Sequence, residues 1–268
     1  ATWTPWMYDN DCLWMDRTVP YWTGMTLFSI DRRHTQRRRN HTLLDDVYNS
    51  RGRVLFKGQL FSAPMDWDDM TSNLILASGS PRRKLLLEQL AIIFEIQPPD
   101  VDESVMAGEA PEIYVTRLSR KKAQSVAEKR DSGAVILAAD TTVVLHGNIL
   151  GKPESKEHGV QMLNELSGSR HDVLTGVSIC SGSRTETFCV STEVTFRHLQ
   201  EKEIAWYWET GEPHDKAGSY GLQGAGAAFV ETLTGSYSNV IGLPLSETVL
   251  MLRDFSIECL GQKELSLV

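Results

Sequence analysis

Apolar and polar positions fall into regular runs from Asn73 onward, and each run predicts an element. Leu74-Ile75-Leu76-Ala77 is a short apolar run, which predicts a buried strand. Ser80-Pro81 then opens a helix, with Ser at the N-cap and Pro at the first helical position. Leu85, Leu86 and Leu90 supply the apolar face of that helix. A second helix follows Pro111 and runs to about Lys129, with Ile113, Leu118 and Val126 inward. Residues 134–139 form the next buried strand, which 142–145 continue towards the turn His146-Gly147-Asn148. The pattern then predicts a helix over 156–166 that stops near Gly168. Strands over 172–180 and 186–196 follow, joined by the turn Ser181-Gly182-Ser183. A helix over 200–210 carries Trp206 and Tyr207, residues 227–231 read as a strand, and Pro244 opens a last helix ending near Phe255.

Helices thus alternate with strands, and one hairpin interrupts them, which predicts an α/β or α+β fold with a mixed sheet. No internal repeat or low-complexity segment breaks this region. Residues 1–69 read differently, because no sustained period of 2 or 3.6 runs through them. They hold Trp3, Trp6, Trp14, Trp22 and Trp67, five of the seven tryptophans, and an arginine cluster at Arg32, Arg33, Arg37, Arg38 and Arg39. The expected division is an atypical, poorly ordered or non-native extension over 1–69 and one domain over 70–268, with Met70 a natural start for the second.

Composition narrows the classes. Hydrophobic residues at 41% and charged residues at 23% are ordinary for a globular chain of 268 residues. A net charge of −8 argues against a duplex nucleic-acid binder, and no nucleic-acid partner is expected. Local clusters of Lys and Arg can still hold a small anion. Cys12, Cys180, Cys189 and Cys259 show no C-x-x-C pair and no zinc spacing, which points to a reducing, cytoplasmic setting. No uninterrupted apolar run approaches the ~18 residues of a membrane span, and no secretory signal pattern opens the chain.

Several constellations carry possible chemistry. Ala77-Ser78-Gly79-Ser80-Pro81-Arg82-Arg83-Lys84 lies where a strand turns into a helix. Free backbone N–H groups and the positive end of the helix dipole collect there, which suits an anion. Ser78 and Ser80 add hydroxyl donors, and Arg82 can grip two phosphate oxygens. The plainer alternative is a capped helix with a basic first turn. Asp100-Val101-Asp102-Glu103 suits Mg²⁺ or Mn²⁺, or is a solvated acidic loop. Asp140 ends an apolar strand, where a carboxylate is costly unless it is paired or binds metal, and strand ends are where open α/β sheets bind ligands. Lys152 in Gly151-Lys152-Pro153, with Lys121 and Lys122, could reach the same cleft as point charges. The stretch from Pro213 to Gly224 holds Asp215, Lys216 and several glycines that allow close backbone approach, and Gln223 has the donor and acceptor that a base edge needs. The histidines do not group as ligands, and neither a Walker A pattern nor a G-x-S-x-G elbow is present.

In this order, LILASGSPRRKLLLEQL, RLSRKKA, AADTTVV, GKP, LSGSRHDVLTGVSI, EVTFRHLQEKEI, DKAGSYGLQG and GSYSNVIGLPLSET resemble the Maf family of nucleotide pyrophosphatases, over about residues 73–255. DKAGSYGLQG and SYSNVIGLPL are similar to the branch that hydrolyses dTTP and UTP; a sister branch acting on 7-methyl-GTP lacks the Tyr-Gly-Leu-Gln-Gly arrangement. The resemblance implies an α/β fold of the Maf and inosine triphosphatase kind, a mixed twisted sheet flanked by helices with a central cleft. It implies a nucleoside triphosphate substrate, a divalent metal (Mg²⁺ or Mn²⁺), a homodimer, and Asp140 as proton acceptor. Arg82, Thr141 and Gln223 would help select base and sugar, with Asp215 and Lys216 also counted as substrate-binding. Ser78, Glu103, Lys122 and Lys152 match positions serving phosphate, metal or catalysis: Lys122 and Lys152 with Asp140 in the chemistry, Ser78 with the substrate. Glu103, Asp102 and Asp140 are the expected metal carboxylates, and Asp102 and Glu103 could exchange roles. The rival reading is a non-catalytic nucleotide-binding regulator of septum formation.

Overall fold

A strand covered on both faces must be apolar on both, and 135–139 and 143–145 meet that demand; the strand they belong to is buried at every position but Thr141. It becomes the axis of the sheet. The computed structural model describes residues 54–56, 59–61, 73–130 and 133–260. The elements in chain order are β1 (Val54–Phe56), β2 (Gln59–Phe61), β3 (Leu74–Leu76), α1 (Pro81–Glu88), β4 (Glu95–Ile96), α2 (Pro111–Ala127), β5 (Val135–Leu145), β6 (Asn148–Leu150), α3 (Lys156–Leu166), β7 (Arg170–Ser181), β8 (Arg184–Phe196), α4 (Glu201–Glu209), β9 (Val230–Thr234), α5 (Tyr237–Ile241) and α6 (Leu245–Asp254). Short 3₁₀ turns at Ala217–Ser219 and Ala225–Phe229 lie between α4 and β9.

β3 to β9 form one seven-stranded sheet in the order β4-β3-β5-β7-β8-β9, with β6 also on β5. β3 runs parallel to β4 and β5, and the remaining pairs are antiparallel. The sheet is mixed and helices cover it, the α/β class expected. β3 meets β5 only from Val135 to Leu137, and β6 meets it only from Val143 to Leu145. Between them, residues 138–142 of β5 have no strand partner on that edge, just past the C-terminal end of a parallel strand, where open sheets place ligands.

Strand alternation sorts the core. Leu74, Leu76, Val135, Leu137 and Ala139 share one face with Leu86 and Leu87 of α1 and Val249 and Leu252 of α6. Ile75, Ala77, Ile136 and Ala138 share the other with Ala123 and Val126 of α2. A third cluster, including Val143, Leu163, Phe196 and Tyr207, fills the space under α3 and α4. Gly176 stands opposite Asp140 in β7, and a Cβ there would lie 2.5 Å from the carbonyl oxygen of Val115. The missing side chain lets the backbone of α2 press onto the sheet.

Several expectations need correction. The face of α1 is Leu86, Leu87 and Leu90, and Leu85 is 52% exposed. With four leucines in six positions, the sequence alone leaves the phase of this helix open by about one residue. Ile113 likewise points out; the buried row of α2 is Val115, Leu118, Ser119, Lys122, Ala123 and Val126. The hairpin strands are longer than expected, reaching Arg170–Ser181 and Arg184–Phe196. Residues 225–229 form a 3₁₀ turn, and the strand begins at Val230. Three short elements, β4, β6 and α5, have no sequence signal of sufficient length.

The chain divides into two units, Ala1–Met65 and Asp66–Val268. Within the first, β1 and β2 form an antiparallel hairpin. The tryptophans at 3, 6, 14, 22 and 67, the arginine cluster, Cys12 and Met70 lie outside the described residues. Cys180, Cys189 and Cys259 are free thiols. Among the described residues, no helix is long and apolar enough to cross a membrane.

Candidate active site

Neighbouring residues of a strand point to opposite faces, so the open stretch of β5 delivers two different side chains to one place. Asp140 continues the face of Ile136 and Ala138 and therefore meets α2. Thr141 continues the face of Leu137 and Ala139 and therefore meets α1. A cleft of about 700 Å³ opens there, lined by both residues and by the turn between β3 and α1, α1 itself, the 98–105 loop, α2, the connection between β6 and α3, Val173 of β7, the 215–222 loop and α5.

On the α2 side, Lys122 occupies the buried row of its helix. Its Nζ lies 2.6 Å from Asp140 Oδ1 and 2.6 Å from Glu103 Oε1. Lys152 Nζ lies 3.3 Å from the other Glu103 oxygen. The Lys122 and Asp140 side chains are only 8% and 9% exposed, so each is the other's compensation for lost hydration. Partial burial works to raise the Glu103 pKa, but the hydrogen bond and charge of Lys122, helped by Lys152, hold it below the usual glutamate range. Tyr114 donates to the Glu103 carbonyl at 3.0 Å. Burial, with the Asp140 and Glu103 carboxylates nearby, pushes the Tyr114 hydroxyl up to about 12.

On the α1 side, the residue that turns inward is the half-buried Arg83. It precedes Leu86, Leu87 and Leu90 by three, four and seven positions, the spacing of one helical face. Its Nε donates to the Gly242 carbonyl at 2.8 Å, one Nη to Thr141 Oγ1 at 2.9 Å and the other to Ser78 Oγ at 3.4 Å. Burial pulls the Arg83 pKa below its ordinary value, opposed by the Asp140 carboxylate; it stays a cation at neutral pH. Ser78 Oγ also accepts from the backbone N–H of Ser80 at 3.2 Å.

At the rim, Arg82 Nη1 lies 3.7 Å from Asp215 Oδ2, and Lys216 Nζ lies 2.7 Å from Asp215 Oδ1. Lys216 also donates to the Glu212 carbonyl. Partial burial works against ionisation of Asp215, but Lys216 and then Arg82 hold its pKa below the usual aspartate range. Val143, Val173, Ala217, Tyr220, Leu222 and Val240 give the cleft an apolar flank.

Nine expected site residues meet in this cleft: Ser78, Arg82, Glu103, Lys122, Asp140, Thr141, Lys152, Asp215 and Lys216. Two do not. Asp102 is exposed, and its carboxylate takes the Ser104 backbone N–H at 2.9 Å and hydroxyl at 3.0 Å, closing a local turn. Of the two adjacent acids, Glu103 is the one that lines the cleft and reaches Lys122 and Lys152. Gln223 is exposed and outside the lining, because Tyr220, Gly221 and Leu222 fill the cleft wall before the chain turns away. Arg83 and Tyr114 also line the cleft, beyond the residues that the sequence motifs single out. Tyr114 stands eight residues before Lys122 with Leu118 between, one helix shoulder, which was the available signal.

The lining carries five cations, Arg82, Arg83, Lys122, Lys152 and Lys216, against four carboxylates, Glu103, Asp140, Glu154 and Asp215. In a chain of net charge −8, that local balance suits a polyanion. Among the described residues, no group of three or more His, Cys, Asp or Glu could hold an ion alone. Glu103 and Asp140 offer hard carboxylate oxygens beside the cations of the lining. That pair fits Mg²⁺ or Mn²⁺ taking one or two carboxylates together with substrate phosphates.

The family description Maf-like protein matches residues 73–255. A dTTP/UTP pyrophosphatase of Anaeromyxobacter dehalogenans strain 2CP-C is 51% identical over 188 residues, 69% of this chain and 94% of that protein. One of Pseudoalteromonas atlantica is 49% identical over 69% of this chain and 100% of the relative. One of Myxococcus xanthus is 54% identical over 67% of this chain and 90% of the relative.

Proposed function

This chain belongs to the Maf-like protein family, and we propose on that premise that it hydrolyses dTTP and UTP to the nucleoside monophosphate and pyrophosphate. The observation that carries the reading is the single ammonium of Lys122 held 2.6 Å from both Asp140 and Glu103 inside a cleft also lined by Arg82 and Lys152.

Asp140 accepts the proton of the attacking water, and Lys122 fixes the orientation of that carboxylate. The water oxygen bonds to the α-phosphorus, the bond from that phosphorus to the bridging oxygen breaks, and pyrophosphate departs with the electron pair. Arg82, Lys152 and Lys122 meet the charge that builds on the departing group. Ser78 and the start of α1 offer hydrogen bonds to phosphate oxygens. Mg²⁺ or Mn²⁺, held by Glu103 and Asp140 with the triphosphate, would supply further charge neutralisation and acidify bound water. The apolar flank takes the base beside Thr141. Family membership also supports a homodimer in the cytoplasm, which size exclusion tests for the assembly.

The test is a panel of dTTP, UTP, CTP, ITP and 7-methyl-GTP with Mg²⁺ or Mn²⁺, scored for both products. The reading expects monophosphate and pyrophosphate from dTTP and UTP above the others. Tight nucleotide binding with no pyrophosphate released would move the protein to the regulator class.

A further inference from the structure

A hydroxyl has one proton, and the bonds around Thr141 decide where that proton goes. Thr175, opposite Thr141 in β7, lies with its Oγ1 3.0 Å from the Asn239 carbonyl oxygen. A carbonyl can only accept, so Thr175 donates its proton there. The 2.9 Å contact between the Thr141 and Thr175 hydroxyls must then run from Thr141 to Thr175. Arg83 meanwhile donates to Thr141 Oγ1 at 2.9 Å. The proton of Thr141 is spent inside the protein, and what it keeps for the cleft is a lone pair.

We propose that Thr175 is a positioning residue that makes Thr141 an obligate acceptor. With the excess donors of Arg83 beside it, Thr141 then reads a base edge carrying a carbonyl next to an N–H. Arg83 has five N–H groups and three are engaged, so donors remain next to the acceptor. Uracil and thymine present O4 and N3–H, the complement of that pair. Cytosine presents an amine and a bare N3, setting donor against donor and acceptor against acceptor. Guanine and hypoxanthine share the carbonyl and N–H edge, so this pair separates uracil from cytosine, while the size of the cleft must separate pyrimidines from purines. Gly242 keeps the pair clear: a Cβ there would lie 3.3 Å from Thr141 Oγ1 and 3.5 Å from Arg83 Nε.

The inference rests on the pyrophosphatase reading and deepens it. The experiment compares kcat/KM for UTP and CTP in the wild-type protein, in Thr175→Val and in Thr175→Ser, with 3-methyl-UTP as a second probe. Valine keeps the shape of Thr175 and removes its oxygen, so the Thr141 proton can turn to the cleft and donate to N3 of cytosine. The expected result is a UTP preference that falls about tenfold in Thr175→Val, mainly through KM, and is kept in Thr175→Ser. Wild-type protein should also discriminate against 3-methyl-UTP, which lacks N3–H; that arm holds even if the valine variant fails to fold. An unchanged preference in a folded Thr175→Val protein, or equal use of UTP and 3-methyl-UTP, overturns the inference while leaving the pyrophosphatase reading intact. A wild-type protein that releases no pyrophosphate from UTP sinks both.

Discussion

Asp140 and Thr141 are adjacent in β5 yet serve opposite faces of the sheet, Asp140 held by Lys122 at 2.6 Å and Thr141 by Arg83 at 2.9 Å. Strand alternation thereby divides labour at one point of the chain. The face under α2 gathers Asp140 and Glu103 with Lys122 and Lys152, and the face under α1 sets Thr141 against Arg83; on the proposed reading the first serves the phosphate chemistry and the second the base.

If Asp140 takes the proton, removing its basicity should stop the reaction without dismantling the site. Asp140→Asn keeps an oxygen for Lys122. Turnover of UTP should drop by roughly 10²–10⁴-fold. Thermal unfolding monitored by circular dichroism should shift far less than for a variant lacking Lys122, and wild-type turnover in the variant would remove Asp140 from its role.

The two lysines should separate stability from catalysis. Lys122→Met leaves a buried carboxylate unpaired, which costs about 3–5 kcal/mol. Lys152 is 61% exposed, so Lys152→Met should change stability by only about 0–1 kcal/mol. Both should lose activity, Lys152→Met by roughly 10²-fold. Urea unfolding paired with pyrophosphate assays on the two variants distinguishes the cases, and equal stability losses would contradict the burial argument.

His171 sets a pH dependence away from the cleft. It is buried against Phe196 and Tyr220, with Nε2 2.8 Å from the Tyr220 hydroxyl. Burial pulls its pKa down from 6.5 to about 4. As pH falls, the unfolded chain takes the proton first, so stability is complete above the unfolded value. It declines as pH drops towards 4 and flattens below that. The loss is about 3 kcal/mol at most. The urea midpoint followed from neutral pH downward should fall more steeply for the wild-type protein than for His171→Gln. Parallel curves would show that His171 titrates normally.

Gly176 tests the seating of α2. Gly176→Ala places a methyl 2.5 Å from a backbone oxygen that has little freedom to yield. The helix must move, at a cost of about 1–3 kcal/mol, and Lys122 moves with it. Calorimetry should show the destabilisation, and turnover should fall although no lining residue is changed. Full activity at unchanged stability would mean that α2 is not held by this contact.

Much of this architecture can be read from the residues themselves. The Ser-Pro helix start and the capped helix Lys156–Leu166 appear where local chemistry places them, and the apolar run before Asp140 is a strand, although it continues unbroken through Asp140 to Leu145 rather than ending there. Where expectation and structure part, one recurring cause is a phase that neighbouring residues leave undetermined. Among Leu85, Leu86 and Leu87, choosing Leu85 for the core turns Arg82 inward. The true face, with Leu85 exposed, turns in Arg83 and leaves Arg82 at the rim beside Asp215. Asp102 and Glu103 pose the same problem in a loop, where no period exists and only the Ser104 turn and the reach of Lys122 decide. Gln223 was read from its chemistry, but its direction depends on the 3₁₀ turns around it, which glycine-rich sequence does not announce. The Thr141–Thr175–Asn239 chain joins three distant segments and leaves no local pattern.

The central claim is that water attacks the α-phosphorus in the cleft beside Asp140. Turnover of UTP in ¹⁸O-labelled water, with the products examined by mass spectrometry, tests it most directly. The label should enter the monophosphate and be missing from pyrophosphate. Label in the pyrophosphate, or release of labelled orthophosphate with a nucleoside diphosphate, would place the attack on a different phosphorus and contradict the account.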